Sequence, residues 1–176
     1  MTRTHSVRIS AAAGAIALAF ALGGCSAVSG LFGGGAPDRD EDTNQVKEGG
    51  EYDVFQLQVG DCLNLGDEGE LSEASVVPCD EPHTQEIFHE FELTGDEWPG
   101  DDALNTDADE GCYSAFAEFV GVPYEESVLN YFFLAPTEAG WTDSSVADRL
   151  VQCLIYEADD NDEAVPVTGT LKGAAR

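Results

Sequence analysis

The densest group of chemically versatile side chains lies in the stretch VVPCDEPHTQEIF, residues 76–88. Cys79 and His83 have the types of a nucleophile and its base, which would also require a reactive thiolate and an oxyanion hole. The chain has no Gly-x-Ser-x-Gly elbow. Cys79 is also expected to be in a disulfide, because the chain has an even number of cysteines once Cys25 is set aside. We therefore expect no catalytic residues here. The alternative is a hydrolase with an acid pair, such as Glu81 with Glu86.

The same stretch is a candidate binding surface. A strand is expected to end before Cys79, a rigid acidic turn to follow at Pro82, and a second strand to begin near Gln85. Side chains displayed on such a corner are available to a partner. The residues that we expect to be displayed are Asp80, Glu81 and His83.

Metal-binding patterns in the chain are weak. Asn105, Asp107 and Asp109 have the alternate spacing of a calcium-binding loop. Gly111, however, falls one position too late for such a loop, and its twelfth position holds Phe116 instead of glutamate. We predict no bound metal and no cofactor, with a divalent-cation-binding surface as an alternative.

The cysteines indicate disulfides. Setting aside Cys25, which is discussed below, leaves an even number in a chain that carries export features, and three connectivities are then possible. Loop closure and the strand pattern favour Cys62–Cys79 and Cys112–Cys153, the second of which would join a helix to a strand. A zinc site built from four thiolates is the rival, but zinc-binding cysteines usually come in close pairs, and this chain has no such pair.

Hydrophobic periodicity predicts the elements that position these residues. A helical period over 107–120 ends at Gly121, where a left-handed cap belongs, and Pro123 prevents continuation. In 85–93 the residues alternate, with Ile87, His89, Phe91 and Leu93 on the face expected to be buried. Strands are predicted at residues 54–59, 75–79, 85–93, 128–134 and 150–156, with a short edge strand at 165–171. The expected fold class is α+β, a single small domain in which a mainly antiparallel sheet packs against one main helix and two disulfides staple the chain.

Residues 1–24 have the features of a signal peptide. Arg3 and Arg8 bracket the basic segment, and the apolar run at 9–22 is short for a spanning helix, which needs about 20 residues. Residues 22–25, LGGC, resemble the lipobox of bacterial lipoproteins. That resemblance implies a diacylglyceryl thioether on Cys25 and an amine acylated by a fatty acid such as palmitate. Two or more acyl chains hold a protein stably on a membrane, so Cys25 is the expected anchor on the extracytoplasmic face.

Residues 25–51 are predicted to be a disordered tether, because they are rich in glycine, then in charge, and contain little to bury. Residues 52–176 are predicted to form the folded domain.

The chain is strongly acidic, with 35 Asp and Glu residues and a net charge of −28, which becomes −30 if Arg3 and Arg8 leave with the signal peptide. Such a charge repels phosphate backbones, which excludes nucleic acid as a partner, and it also repels anionic lipid headgroups. A basic protein partner or divalent cations remain compatible with it.

Several short blocks resemble the septum-formation-related domain, a family of actinobacterial lipoproteins and membrane proteins. The resemblance covers most of 54–173, departing from the family pattern at Ala147 and in the last loop. The blocks that carry it are VGDCL at 59–63, VPCDEPHTQE at 77–86, Cys112, DR at 148–149, Cys153 and TGTLKG at 168–173. The family name implies a role around cell division, without an established reaction and without catalytic residues.

These features together predict a non-enzymatic, lipid-anchored binding or scaffolding domain of the cell envelope, with an unknown envelope or division protein as its partner. The alternatives are an envelope hydrolase using the acid pair, or a surface module that binds divalent cations.

Overall fold

The computed structural model describes residues 36–65 and 73–176. The predicted signal peptide, Cys25 with its predicted lipid, and residues 26–35 of the predicted tether lie outside these residues. Among the described helices, none combines the length and apolar character needed to cross a membrane.

Within residues 36–65 and 73–176, six antiparallel strands form one sheet in the spatial order β1-β3-β2-β4-β6-β5. The two longest strands, β4 and β6, lie next to each other, and each pairs with a strand on both sides. The largely apolar sequence of β6 suits a position between neighbours. The strands are β1 (Gly50–Asp53), β2 (Cys62–Asn64), β3 (Glu73–Val77), β4 (Gln85–Glu92), β5 (Leu129–Leu134) and β6 (Leu150–Glu157).

The main helix, α1, runs from Asp101 to Val120 and ends as predicted at Gly121, whose φ of 95° is left-handed. It begins at Asp101 rather than at 107. The helical period is not visible before 107, because the first turns expose acidic residues and bury only Leu104. The acids at Asp101 and Asp102 favour the positive end of the helix dipole. A second helix, α2, spans Glu138–Thr142.

The two faces of the sheet bury separate cores. The helix-side core joins α1 to β4, β5 and β6, and its largest members are Phe88, Phe116, Phe119 and Leu129. The far-side core is covered by the chain before β2, and its buried members are Val46, Leu57, Leu63, Ala74, Val76, Ile87 and Leu154. The predicted α+β class, with an antiparallel sheet on one main helix, is confirmed.

A bulge in β4 changes which side chains are buried. The register shifts between Ile87 and His89, so that one extra residue reverses the alternation. Phe88, predicted to face outward, packs on Phe116 and Phe119 in the helix-side core, whereas Ile87 enters the far-side core. Beyond the bulge, His89 stacks on Phe91 at a ring separation of 5.6 Å.

The N-terminal boundary also differs from the prediction. Residues 54–56 form a short 3-10 helix instead of a strand, and β1 precedes them at Gly50–Asp53. Val46, inside the predicted tether, is buried, and Arg39 pairs with Val46 through an isolated β-bridge. The chain therefore packs on the domain well before residue 52. At the other end, the predicted strand at 165–171 is reduced to a single bridge between His83 and Val167.

Candidate functional site

Three distant segments meet at one end of the sheet. The Gly60 N–H donates to the Ile87 carbonyl at 2.8 Å, and the Gly169 N–H donates to the Cys79 carbonyl at 2.6 Å. His83 and Val167 exchange two backbone hydrogen bonds, at 3.0 and 2.8 Å. We call the polar group at this junction the polar corner. Its buried members are Asp61, Cys62, Cys79, His83 and Glu86, and the exposed Thr170 belongs to it through its hydrogen bond to Glu86.

The disulfide Cys62–Cys79 closes the polar corner. Its sulfur atoms are 1.94 Å apart and its Cα atoms 5.2 Å apart, and both residues are buried. The second bond, Cys112–Cys153, joins α1 to β6 with a Cα separation of 5.6 Å. The predicted pairing is confirmed, and the oxidised Cys79 cannot serve as a thiolate nucleophile while the bond is intact.

His83 lies inside the corner, whereas the sequence predicts that it is displayed with Asp80 and Glu81. Asp80 and Glu81 are exposed, but the His83 side chain is completely buried because the 167–171 segment covers it. Its Nδ1 lies 2.9 Å from the Glu81 carbonyl, which can only accept, so Nδ1 carries the proton. In the neutral ring Nε2 then has a free lone pair, and it makes no hydrogen bond with any residue that the structure describes.

Glu86 is the second buried titratable group of the corner. Its Oε1 accepts from the Thr170 hydroxyl at 2.5 Å, and its Oε2 accepts from the Leu171 N–H at 2.6 Å. Burial raises the pKa of the Glu86 carboxyl, and these two hydrogen bonds oppose that rise without cancelling it. The acid pair proposed from the sequence is divided between two environments, since Glu81 is exposed and Glu86 is buried.

Asp61 and Arg39 form a buried ion pair at the edge of the corner. The guanidinium binds both carboxylate oxygens, with Nη2 2.8 Å from Oδ2, and the Gln58 N–H donates to the same oxygen at 2.8 Å. Nη2 also donates to the Gln56 carbonyl at 3.1 Å. This pair attaches the segment before β1 to the residue preceding Cys62.

Three side chains of metal-binding residue types converge in the corner, although the sulfur of one of them is held in the disulfide. The Cys62 sulfur, a ring nitrogen of His83 and a carboxylate oxygen of Glu86 all lie within 4.8 Å of one another. The calcium-loop pattern of the sequence does not form a loop. Its residues Asn105, Asp107 and Asp109 lie on α1, where residues two apart point to different sides.

A second feature is an open pocket of about 310 Å³ where β4 ends and β6 begins. Two large apolar side chains are exposed there, Phe55 at 58% and Val146 at 53%. The lining residues are Phe55, Glu92, Val146, Ala147, Asp148, Arg149 and Leu150.

Arg149 gives this pocket a fixed wall. Its guanidinium carbon lies 3.7 Å from the ring centre of the buried Trp141, and its nitrogens donate to the carbonyls of Gly95, Trp141 and Asp148 at 3.1, 3.0 and 2.7 Å. Four contacts to fixed groups leave the side chain little freedom.

Comparison with known protein families gives a match. The sequence profile of the family described as septum formation matches residues 33–132 and 59–176. These two overlapping ranges include both disulfides and every strand and helix that the structure describes. Searches of curated proteins and of solved structures found no match.

Proposed function

The chain belongs to the septum-formation family, and we propose that it serves there as a non-enzymatic binding or scaffolding domain, anchored by lipid on Cys25 to the extracytoplasmic face of the cell membrane. Family membership links the protein to septum formation. The molecular role is the proposal, and the open pocket is the observation that carries it.

The pocket has the character of a protein-binding site. Phe55 and Val146 are two of the large apolar side chains that the described surface exposes, and exposed apolar groups that cluster beside polar ones mark interaction sites. Glu92 and Asp148 place carboxylates beside them. The matching ligand is a peptide segment that inserts an apolar side chain and carries a basic residue next to it.

The surroundings of the pocket support the same partner. A net charge of −28 steers basic partners towards the domain, and the steering weakens as salt is added. Arg149 is already held by Trp141 and three carbonyls, so less conformational entropy is lost when a ligand packs against this wall.

Crosslinking in intact cells tests the pocket. A photoreactive residue at position 146 should capture one recurrent envelope protein, and the substitution Phe55→Asp should abolish that capture. The matched control is position 128, because Val128 is also an exposed valine, 63% accessible, and does not line the pocket. Equal capture from both positions, or capture that persists in Phe55→Asp, would contradict the proposal.

A separate experiment tests the anchor. The resemblance of residues 22–25 to a lipobox supports lipidation of Cys25, so Cys25→Ser should lose labelling by radioactive palmitate and leave the membrane fraction. Ser26→Ala is the control and should keep both properties. A labelled, membrane-bound Cys25→Ser protein would show that another feature holds the chain.

A further inference from the structure

The polar corner contains a buried histidine nitrogen without a partner. His83 Nε2 is completely enclosed and makes no hydrogen bond within the described part of the chain. Burial of a polar atom without a partner is unfavourable, so such an atom requires an explanation. The same ring lies beside the sulfur of Cys62 and the carboxylate of Glu86, since a ring nitrogen of His83, the sulfur and a carboxylate oxygen all lie within 4.8 Å of one another.

The outer contacts of this group are those that metal ligands usually have. A metal-binding histidine donates its other ring N–H to a carbonyl or carboxylate, and ligating carboxylates are themselves hydrogen-bonded. His83 Nδ1 donates to the Glu81 carbonyl at 2.9 Å. Thr170 and Leu171 hold the two oxygens of Glu86 at 2.5 and 2.6 Å. Each side chain is thus oriented by groups outside the cluster.

The oxidation state of the cysteines decides whether the cluster can hold a metal. A cysteine binds a metal ion as a thiolate, and a cysteine in a disulfide has no thiolate to offer. We propose that reduction of the Cys62–Cys79 bond converts the polar corner into a tetrahedral site for zinc, with Cys62, Cys79, His83 and Glu86 as its four ligands.

The reaction balances with a dithiol as the reductant. The dithiol gives two electrons and two protons to the Cys62–Cys79 bond, which breaks into two thiols while the reductant becomes a disulfide. Zinc then displaces the two thiol protons as it binds, so two protons are released. Reoxidation by a disulfide of the same class restores the bond and expels the ion.

The ligand set and the geometry both suit zinc. Zinc accepts thiolate, imidazole and carboxylate ligands in tetrahedral sites. Two zinc–sulfur bonds of about 2.3 Å place the sulfur atoms about 3.7 Å apart, which the Cys62 and Cys79 side chains can adopt only after the bond between them is broken.

The other disulfide is an internal control. Cys112–Cys153 lies in the helix-side core among apolar side chains, and in the described part of the chain neither cysteine belongs to a group of three or more converging metal-binding side chains. Reduced Cys112 and Cys153 therefore offer two thiolates at most.

The test is a zinc titration of the full extracytoplasmic domain after reduction by a phosphine, in competition with a chromophoric chelator. The reduced protein should bind one equivalent of zinc, and the oxidised protein none under the same competition. Cys112→Ala/Cys153→Ala should retain the site, whereas Cys62→Ala/Cys79→Ala should lose it. Cobalt in place of zinc should show thiolate charge-transfer and tetrahedral bands in the same variants.

The substitution His83→Phe tests whether His83 is a zinc ligand. It should weaken zinc binding at least tenfold, while His89→Phe, which changes a half-buried histidine outside the cluster, should leave the affinity unchanged. Equal affinities for these two variants would overturn the proposal, as would equal losses for the two cysteine pairs. Reduced protein that is unfolded by circular dichroism, and that zinc does not refold, would overturn it as well. None of these outcomes bears on the pocket.

Discussion

The two disulfides of this domain lie in opposite surroundings. Cys112–Cys153 is enclosed by the helix-side core, where Phe88, Phe116 and Phe119 pack edge to face or tilted at ring separations near 6 Å. Cys62–Cys79 is enclosed by the polar corner, with a buried histidine and a buried glutamate beside it. One bond reinforces a region that apolar packing already holds together, and the other closes a region held by hydrogen bonds.

Because of this difference, the stability of the two regions depends to different degrees on contacts between distant parts of the chain. The α1–β6 contact is backed by many side chains that bury apolar area. The corner instead depends on a few polar contacts between segments far apart in sequence, such as those of Glu86 with Thr170 and Leu171, 84 and 85 residues away. A polar network of this kind is stable only when its members are satisfied, which makes the corner the more easily altered of the two regions.

Removal of each disulfide should give the largest effects. Cys112→Ala/Cys153→Ala opens a loop with a sequence separation of 41 and should lower the free energy of unfolding by about 4 kcal/mol. Cys62→Ala/Cys79→Ala, with a separation of 17, should lower it by about 3 kcal/mol. Denaturant unfolding of both variants measures the two losses. A larger loss for the Cys62–Cys79 pair would mean that the polar corner, rather than the apolar core, limits the stability of the fold.

Loss of the buried ion pair should come next. Arg39→Ala leaves Asp61 buried without its counterion and should cost about 3 kcal/mol, because an uncompensated buried charge is strongly unfavourable. Lys47→Ala is the matched control. The Lys47–Asp38 pair is exposed and 3.7 Å apart, so its loss should cost about 0.5 kcal/mol or less. Equal effects in denaturant unfolding would show that the segment before β1 contributes nothing to the corner.

Elements with a local signal could be predicted from the sequence. The helical period up to Gly121 and the apolar strands β5 and β6 each depend on neighbouring residues. The disulfides are not local, but an even number of cysteines allows only three pairings, among which loop closure and the strand pattern could choose. These signals gave the fold class and the disulfide pairing. The β4 bulge has no such signal, because alternation continues on both sides of it and only the pairing with β6 reveals the extra residue.

The arrangement of the candidate site was harder to predict from the sequence, for the same reason. Asp80 and Glu81 are exposed as expected for a polar turn, but His83 is covered by a segment that begins 84 residues later in the chain, at Val167. Arg39 and Asp61 are 22 residues apart, and no periodicity links them. Pairings of this kind depend on how distant segments dock, which composition and spacing do not encode.

A glycine in α1 tests how tightly the helix-side core is packed. A Cβ at Gly111 would lie 2.2 Å from the Phe91 ring, so Gly111→Ala should destabilise the protein by about 1–2 kcal/mol although alanine favours helices. Thermal unfolding measures the effect. Phe91→Leu/Gly111→Ala should recover part of the loss, because the smaller side chain makes room. A stabilised Gly111→Ala protein would mean that this edge of the core is loose and that the contrast with the corner is weaker than proposed.

The smallest expected effect concerns the protonation of the corner in its oxidised form. Burial raises the pKa of Glu86 above its ordinary value of 4.5, so the native state retains a proton that the unfolded chain has already lost. The stabilisation of the native state by this proton is complete below about pH 4.5 and is lost as the pH rises through the native pKa. Its size is about 1.4 kcal/mol for each tenfold difference between the acidity constants of Glu86 in the native and the unfolded state.

Glu86→Gln has no proton to lose there, and its amide can still accept from Leu171 and donate to Thr170. Relative to the wild type, the variant should therefore become more stable as the pH is raised from 4.5 to 7, as measured by urea unfolding in the presence of a chelator. Glu81→Gln removes an exposed carboxylate from the same turn and should retain the wild-type slope. If both variants follow the wild-type slope, the Glu86 carboxylate is as well solvated as a surface group, and the corner would lack the polar burial that distinguishes it from the helix-side core.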